Sequence, residues 1–96
     1  MPTQKFYVEI RMNERLGMFI TVYDKEVMEE NEVFREKPYN MMVDEEKLVE
    51  LLRKAVSIIL YGRNCIDIGI REKLIHPEAV SSLHGVEVAI FIDTHI

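Results

Sequence analysis

Two stretches near the start of this sequence alternate apolar and polar side chains with a period of two, and three residues separate them. In Lys5 to Met12, the side chains of Phe6, Val8, Ile10 and Met12 fall on one side, with Tyr7, Glu9 and Arg11 on the other. After the polar connection Asn13-Glu14-Arg15, Leu16, Met18, Ile20 and Val22 share one side, opposite Gly17, Phe19, Thr21 and Tyr23. Such a pattern fits half-buried strands rather than helices, and the short gap predicts an antiparallel hairpin. A lone hairpin is marginal in water. The rest of the chain must therefore supply more strands and a cover for the apolar side.

Asp24 to Asn40 is irregular. Asp24 can cap one helical turn through Val27 and Met28, Val33 and Phe34 offer an apolar anchor, and Pro38 stops any helix. The clearest helical signal begins at Asp44, a good N-cap followed by Glu45 and Glu46 at the positive end of the dipole. Val43 and Leu48 fit a hydrophobic staple. Leu48, Leu51, Leu52, Ala55, Val56 and Ile59 recur with the helical period, which predicts a helix over 44–61 closed by Gly62 as a left-handed C′ residue. Asn64 to Leu74 reads two ways. Ile66, Ile68 and Ile70 alternate as in a strand, yet Ile66, Ile70 and Leu74 share a helical face, and Gly69 would need a packing reason in a helix. Pro77 to Leu83 suggests one or two turns, closed by His84-Gly85. Val86 to Ile92 is apolar on both faces, as an inner strand would be.

These elements predict one α+β domain over residues 1–96. Its core would be a small antiparallel or mixed sheet with an N-terminal hairpin and a C-terminal strand, and two main helices packed on one face. The net charge of −5 argues against autonomous nucleic-acid binding. Residues 24–50 hold ten acids against four bases, so the acidity is concentrated there. That segment reads as a solvated face or as an acidic patch for a basic partner. No apolar stretch approaches the roughly 18 residues of a membrane span, and the opening residues lack a signal-peptide core. A single cysteine, Cys65, fits a reducing cytoplasm.

The second half carries a resemblance. Ala55, Gly62-Arg63, Cys65-Ile66, Ile70, Leu74-Ile75-His76-Pro77-Glu78-Ala79-Val80, Gly85-Val86 and Ala89 resemble the small archaeal family called domain of unknown function 424, and the hairpin with Asp24-Lys25-Glu26 looks like that family's opening. The chain departs from the family at Glu87 and Val88, where relatives usually carry Pro then His, and at Ile59, where they usually carry Asn. The resemblance implies an α+β fold, tips residues 64–74 toward helix, and implies a translation-neighbourhood association without an assigned activity.

No residue pattern marks a metal site, a phosphate-cradling glycine loop or a nucleophilic triad, so neither cofactor nor metal is expected. Cys65 beside Arg63 reads as a small core residue or as a thiol at a helix N-terminus. Asp93 and His95 would share one side of the last strand. Met41-Met42 beside Tyr39 is either a soft contact surface or packing beneath the helix. The candidate binding residues are Tyr61, Gly62, Arg63 and Asn64, expected at the junction of two helices, where the start of the second offers backbone N–H groups to an anion, Tyr61 a stacking ring and Arg63 a phosphate contact. The sequence favours a non-enzymatic cytoplasmic module that docks on a protein or ribonucleoprotein. Two alternatives stand beside it: a small enzyme or ligand binder with a pocket between helix and sheet, and a homo-oligomer.

Overall fold

A computed structural model describes residues 4–93. Strands β1 (Lys5–Asn13) and β2 (Gly17–Asp24) form the expected hairpin, with Asn13 paired to Gly17 across the turn. The Asn13 side-chain oxygen accepts the N–H groups of Arg15 and Leu16 at 2.9 Å each, which closes the connection. The hairpin sits within a six-stranded mixed sheet that also contains β3 (Met41–Asp44), β4 (Ser57–Tyr61), β5 (Ser81–Leu83) and β6 (Val86–Ile92), in the order β3-β1-β2-β4-β6-β5. Only the β2–β4 pair is parallel. His84 and Gly85, both with positive φ, form the two-residue turn from β5 to β6, as a twisted hairpin requires.

Helices α2 (Glu45–Lys54) and α3 (Arg63–Arg71) pack on one face of this sheet, giving the expected α+β architecture. Phe6, Val8, Ile20, Val22, Ile58, Leu60 and Ala89 meet Leu48, Leu52, Cys65 and Ile66 there, all at most 2% exposed. The short helix α1 (Lys25–Glu30) lies on the opposite face, where Val27, Met28 and Phe34 cover Tyr23 and Val86.

The long helix expected over 44–61 is two elements. Asp44 caps α2 as its spacing suggests, accepting the Lys47 N–H at 2.9 Å. The helix then stops at Lys54, with Ala55 already extended at ψ 143°, and residues 57–61 form β4 at the centre of the sheet. Val56, Ile58 and Ile59 are β-branched, and a run apolar on both faces suits a central strand as well as a helix. Gly62 accordingly ends no helix; it precedes α3 with φ 118°. The ambiguous stretch from Asn64 is helical, as the resemblance implied. Gly69 has its packing reason: a Cβ there would lie 2.8 Å from Leu60 Cδ1 and 2.9 Å from Ile75 Cγ1.

Candidate functional site

The four residues singled out from sequence stand where β4 passes into α3, and the chain's own groups engage each of them. Asp24, at the end of β2, is 2% exposed. Its carboxylate accepts the Asn64 and Cys65 N–H groups at 2.8 Å each, so two of the donors expected to await an anion are already bonded. Gly62 is required for this approach, because a Cβ would overlap the Asp24 carboxyl. Burial pushes the Asp24 carboxyl above the usual range, against the lowering effect of its two backbone donors. The Arg63 guanidinium donates to Asp67 at 3.0 Å and also pairs with Glu87 on β6, contacts that raise its pKa. Asn64 donates from Nδ2 to Glu26 at 3.0 Å. The Tyr61 ring stacks on Tyr23 at 5.2 Å and meets the tilted ring of Phe34 at 4.9 Å, so one of its faces is already taken by Tyr23. What remains at this corner is an open cleft of about 380 Å³ lined by Asp24, Glu26, Arg63, Asn64 and Glu87 among others.

Cys65 is fully buried, and its thiol donates toward the Tyr61 and Gly62 carbonyls at 3.4 Å. Burial pushes this thiol well up, and the Asp24 charge adds to the effect, although the group stands at a helix start. His76 Nδ1 accepts the Glu78 N–H at 3.1 Å and caps the short turn Pro77–Ala79. His84 lies in the β5–β6 turn, where its carbonyl accepts from Asn31. His95 falls outside the described residues, and with it the Asp93–His95 pair. Among the described residues, no three His, Cys, Asp or Glu side chains gather as metal ligands do. A wider groove of about 590 Å³ between α2 and α3 is lined by charges that pair with one another, including Arg53 with Glu72 at 2.9 Å and Arg71 with Glu45 at 3.1 Å.

The feature that sequence reasoning missed is on the sheet face opposite α2 and α3. The strand registers arrange that face in rows. One row runs Met42, Tyr7, Tyr23, Tyr61 and Val88. Helix α1 and Phe34 cover its middle. Tyr23 is pushed up to about 12, chiefly by burial, and Tyr7 is raised by donating to Glu29 at 2.9 Å, so both phenols stay neutral. The register puts Met41 and Met42 on opposite faces of the sheet, Met41 beside Val8 and Met42 beside Tyr7. They are 38% and 46% exposed on the edge strand β3, three strands away from Tyr61. Among the described residues, no helix lies over the next two rows: Glu9, Thr21, Ile59 and Ile90, then Arg11, Phe19, Ser57 and Ile92. Ile90 is 58% exposed and Ile92 63%. The available signal was the two-sided apolarity of Val86 to Ile92, which we read as inner-strand character. β6 does lie inside the sheet, but half of one of its faces is bare.

The fold and its surfaces define a small α+β protein built on a mixed six-stranded sheet, with one face closed by two helices and the other half closed by a third. A solved structure of an uncharacterized conserved protein from Methanopyrus kandleri is similar to it, with a TM-score of 0.67, 9% sequence identity and 96% of each chain covered. At that identity the likeness concerns the fold. No family model and no curated protein matches the sequence. No helix among the described residues is long and apolar enough to cross a membrane.

Proposed function

We propose that this chain is a non-enzymatic cytoplasmic binding module that docks on a protein surface, alone or within a ribonucleoprotein, through the uncovered half of its sheet. We place it as a divergent member of the family called domain of unknown function 424. The observation that carries the docking reading is the pair of bare rows holding Phe19, Ile59, Ile90 and Ile92, two of whose side chains are more than half exposed. Exposed apolar side chains gathered on one surface mark interaction sites more often than scattered ones do. The rival reading, a reactive pocket between helix and sheet, has less support. That interface is filled by Leu48, Leu52, Ile58, Leu60 and Ile66, and the one thiol is buried among them with its pKa raised.

The test compares wild type with the Ile90→Lys/Ile92→Lys double variant in affinity capture from native lysate. A stoichiometric protein or ribosomal particle held by wild type and lost by the variant supports docking through this face. Equal recovery by both moves the site elsewhere, and recovery of no stoichiometric partner sinks the reading.

A further inference from the structure

We propose that the occupant of the bare sheet face is an amphipathic helix from a partner protein, with basic residues along the margin of its apolar stripe. The proposal rests on the docking reading above and adds the partner's chemistry. Size is the first argument. The bare rows cross four strands, from β1 through β2 and β4 to β6. At roughly 4.8 Å per strand they span about 19 Å across and about 13 Å along. One helix of about 12 residues, about 18 Å long and 10–12 Å wide, fits that floor. A second copy laid face to face on the same floor would bury about 500 Å² in all, well below the roughly 1,200–2,000 Å² of a stable dimer. On the closed face the chain itself uses helices of similar length, since α2 and α3, of 10 and 9 residues, pack on the sheet.

Charge is the second argument. The segment 25–37, which bounds the bare rows on one side, carries five carboxylates against three basic groups. Glu29 is anchored over this face by its bond from Tyr7, and Glu9 stands in the bare rows themselves, 3.9 Å from Arg11. A helix seated on the floor would run its margin past these carboxylates, and basic side chains there would complement them. The small footprint sets the affinity in the micromolar range or weaker, as for transient contacts.

The experiment uses the full chain and three labelled 14-residue peptides: Leu and Lys in helical amphipathic order, the same pattern with Glu for Lys, and the Leu/Lys composition in an order without a helical stripe. Affinity is read by anisotropy and location by amide shifts. The proposal expects the helical Leu/Lys peptide to bind at least tenfold more tightly than either control, with shifts centred on Phe19, Thr21, Ile59 and Ile90. It expects Ile90→Lys/Ile92→Lys, and independently the milder Ile92→Ser, to weaken binding, tenfold or more for the double variant, while the remaining amide spectrum stays native. Equal binding of the Glu peptide at the same residues overturns the basic partner but leaves the docking reading standing. Equal binding of the unpatterned Leu/Lys peptide, or shifts over α2 and α3, overturns the helix on this face. Concentration-dependent self-association with shifts at the same residues assigns the face to a second copy and overturns the proposal. If no peptide shifts this face and the lysate capture is also empty, the docking reading falls with it.

Discussion

Asp24 ends β2, begins α1 and closes the N-terminus of α3. Its sequence neighbours suggest the middle role, a cap for the turn through Val27 and Met28. The side chain makes no such cap bond; both oxygens are spent on Asn64 and Cys65, 40 and 41 residues away. Asp24→Ala strands two N–H donors, the buried one of Cys65 and the part-buried one of Asn64, so it is expected to cost about 2–4 kcal/mol in urea unfolding, at about 1–3 kcal/mol per unsatisfied group. Asp24→Asn keeps one acceptor and is expected to cost less. The pH dependence has a definite sign. Burial raises the folded carboxyl's pKa above the unfolded value of about 3.9, so the folded state holds the proton more tightly. This group's stabilising contribution is then complete below pH of about 3.9 and is lost as pH rises through the folded pKa. Urea midpoints measured from pH 3.5 to 7 should show that decline in wild type relative to both variants. A difference that grows with pH would contradict the assignment.

Among the elements, the strength of the local signal decided what was legible. The hairpin was, because Phe6 to Met12 and Leu16 to Tyr23 alternate without a break and three polar residues separate them. The start of α2 was too, because Asp44 and its two following glutamates act within one turn. Its end was not: Leu51, Leu52, Ala55, Val56 and Ile59 satisfy a helical period, and only pairing with β2 and β6 makes Ser57–Tyr61 a strand. The candidate residues Tyr61 to Asn64 do border a helix start, but a strand rather than a second helix leads into it, and their partners Asp24, Glu26 and Glu87 come from distant positions that no local pattern joins to them. Gly69 lets competing magnitudes be weighed within α3. Alanine would gain roughly 1 kcal/mol in helix propensity. Against that, its Cβ meets Leu60 and Ile75 under 3 Å in a closed core, and overpacking typically costs about 1–3 kcal/mol. Gly69→Ala is therefore expected to destabilise by up to about 2 kcal/mol, seen as a lower urea midpoint at unchanged slope; a raised midpoint would mean that the interface yields.

For the molecule as a whole, an open sheet invites other chains both onto its bare face and along its edges, and the β3 side of the sheet is guarded. The outer strand β5 has three residues and β3 has four. Past the end of β3, the β1 edge would present Ile10 with a free N–H and carbonyl, a template for strand addition. Asn40 occupies it. Its backbone N–H donates to the Val8 carbonyl at 2.9 Å, its Oδ1 accepts the Ile10 N–H at 3.1 Å, and its Nδ2 donates to the Ile10 carbonyl at 2.9 Å. The side-chain amide thus continues the ladder by one peptide and then ends it. With short edges, this clamp and a bare face too small for a stable two-fold contact, wild type is expected to sediment as a monomer at tens of micromolar. Asn40→Ala keeps the chain direction and removes both side-chain bonds. It is expected to increase light scattering with concentration, while Asn40→Asp, which can still accept from Ile10 and adds a charge to the edge, should remain monomeric. Association of wild type that Asn40→Ala leaves unchanged would place the self-contact elsewhere, and association through Ile90 and Ile92 would hand the bare face to a second copy.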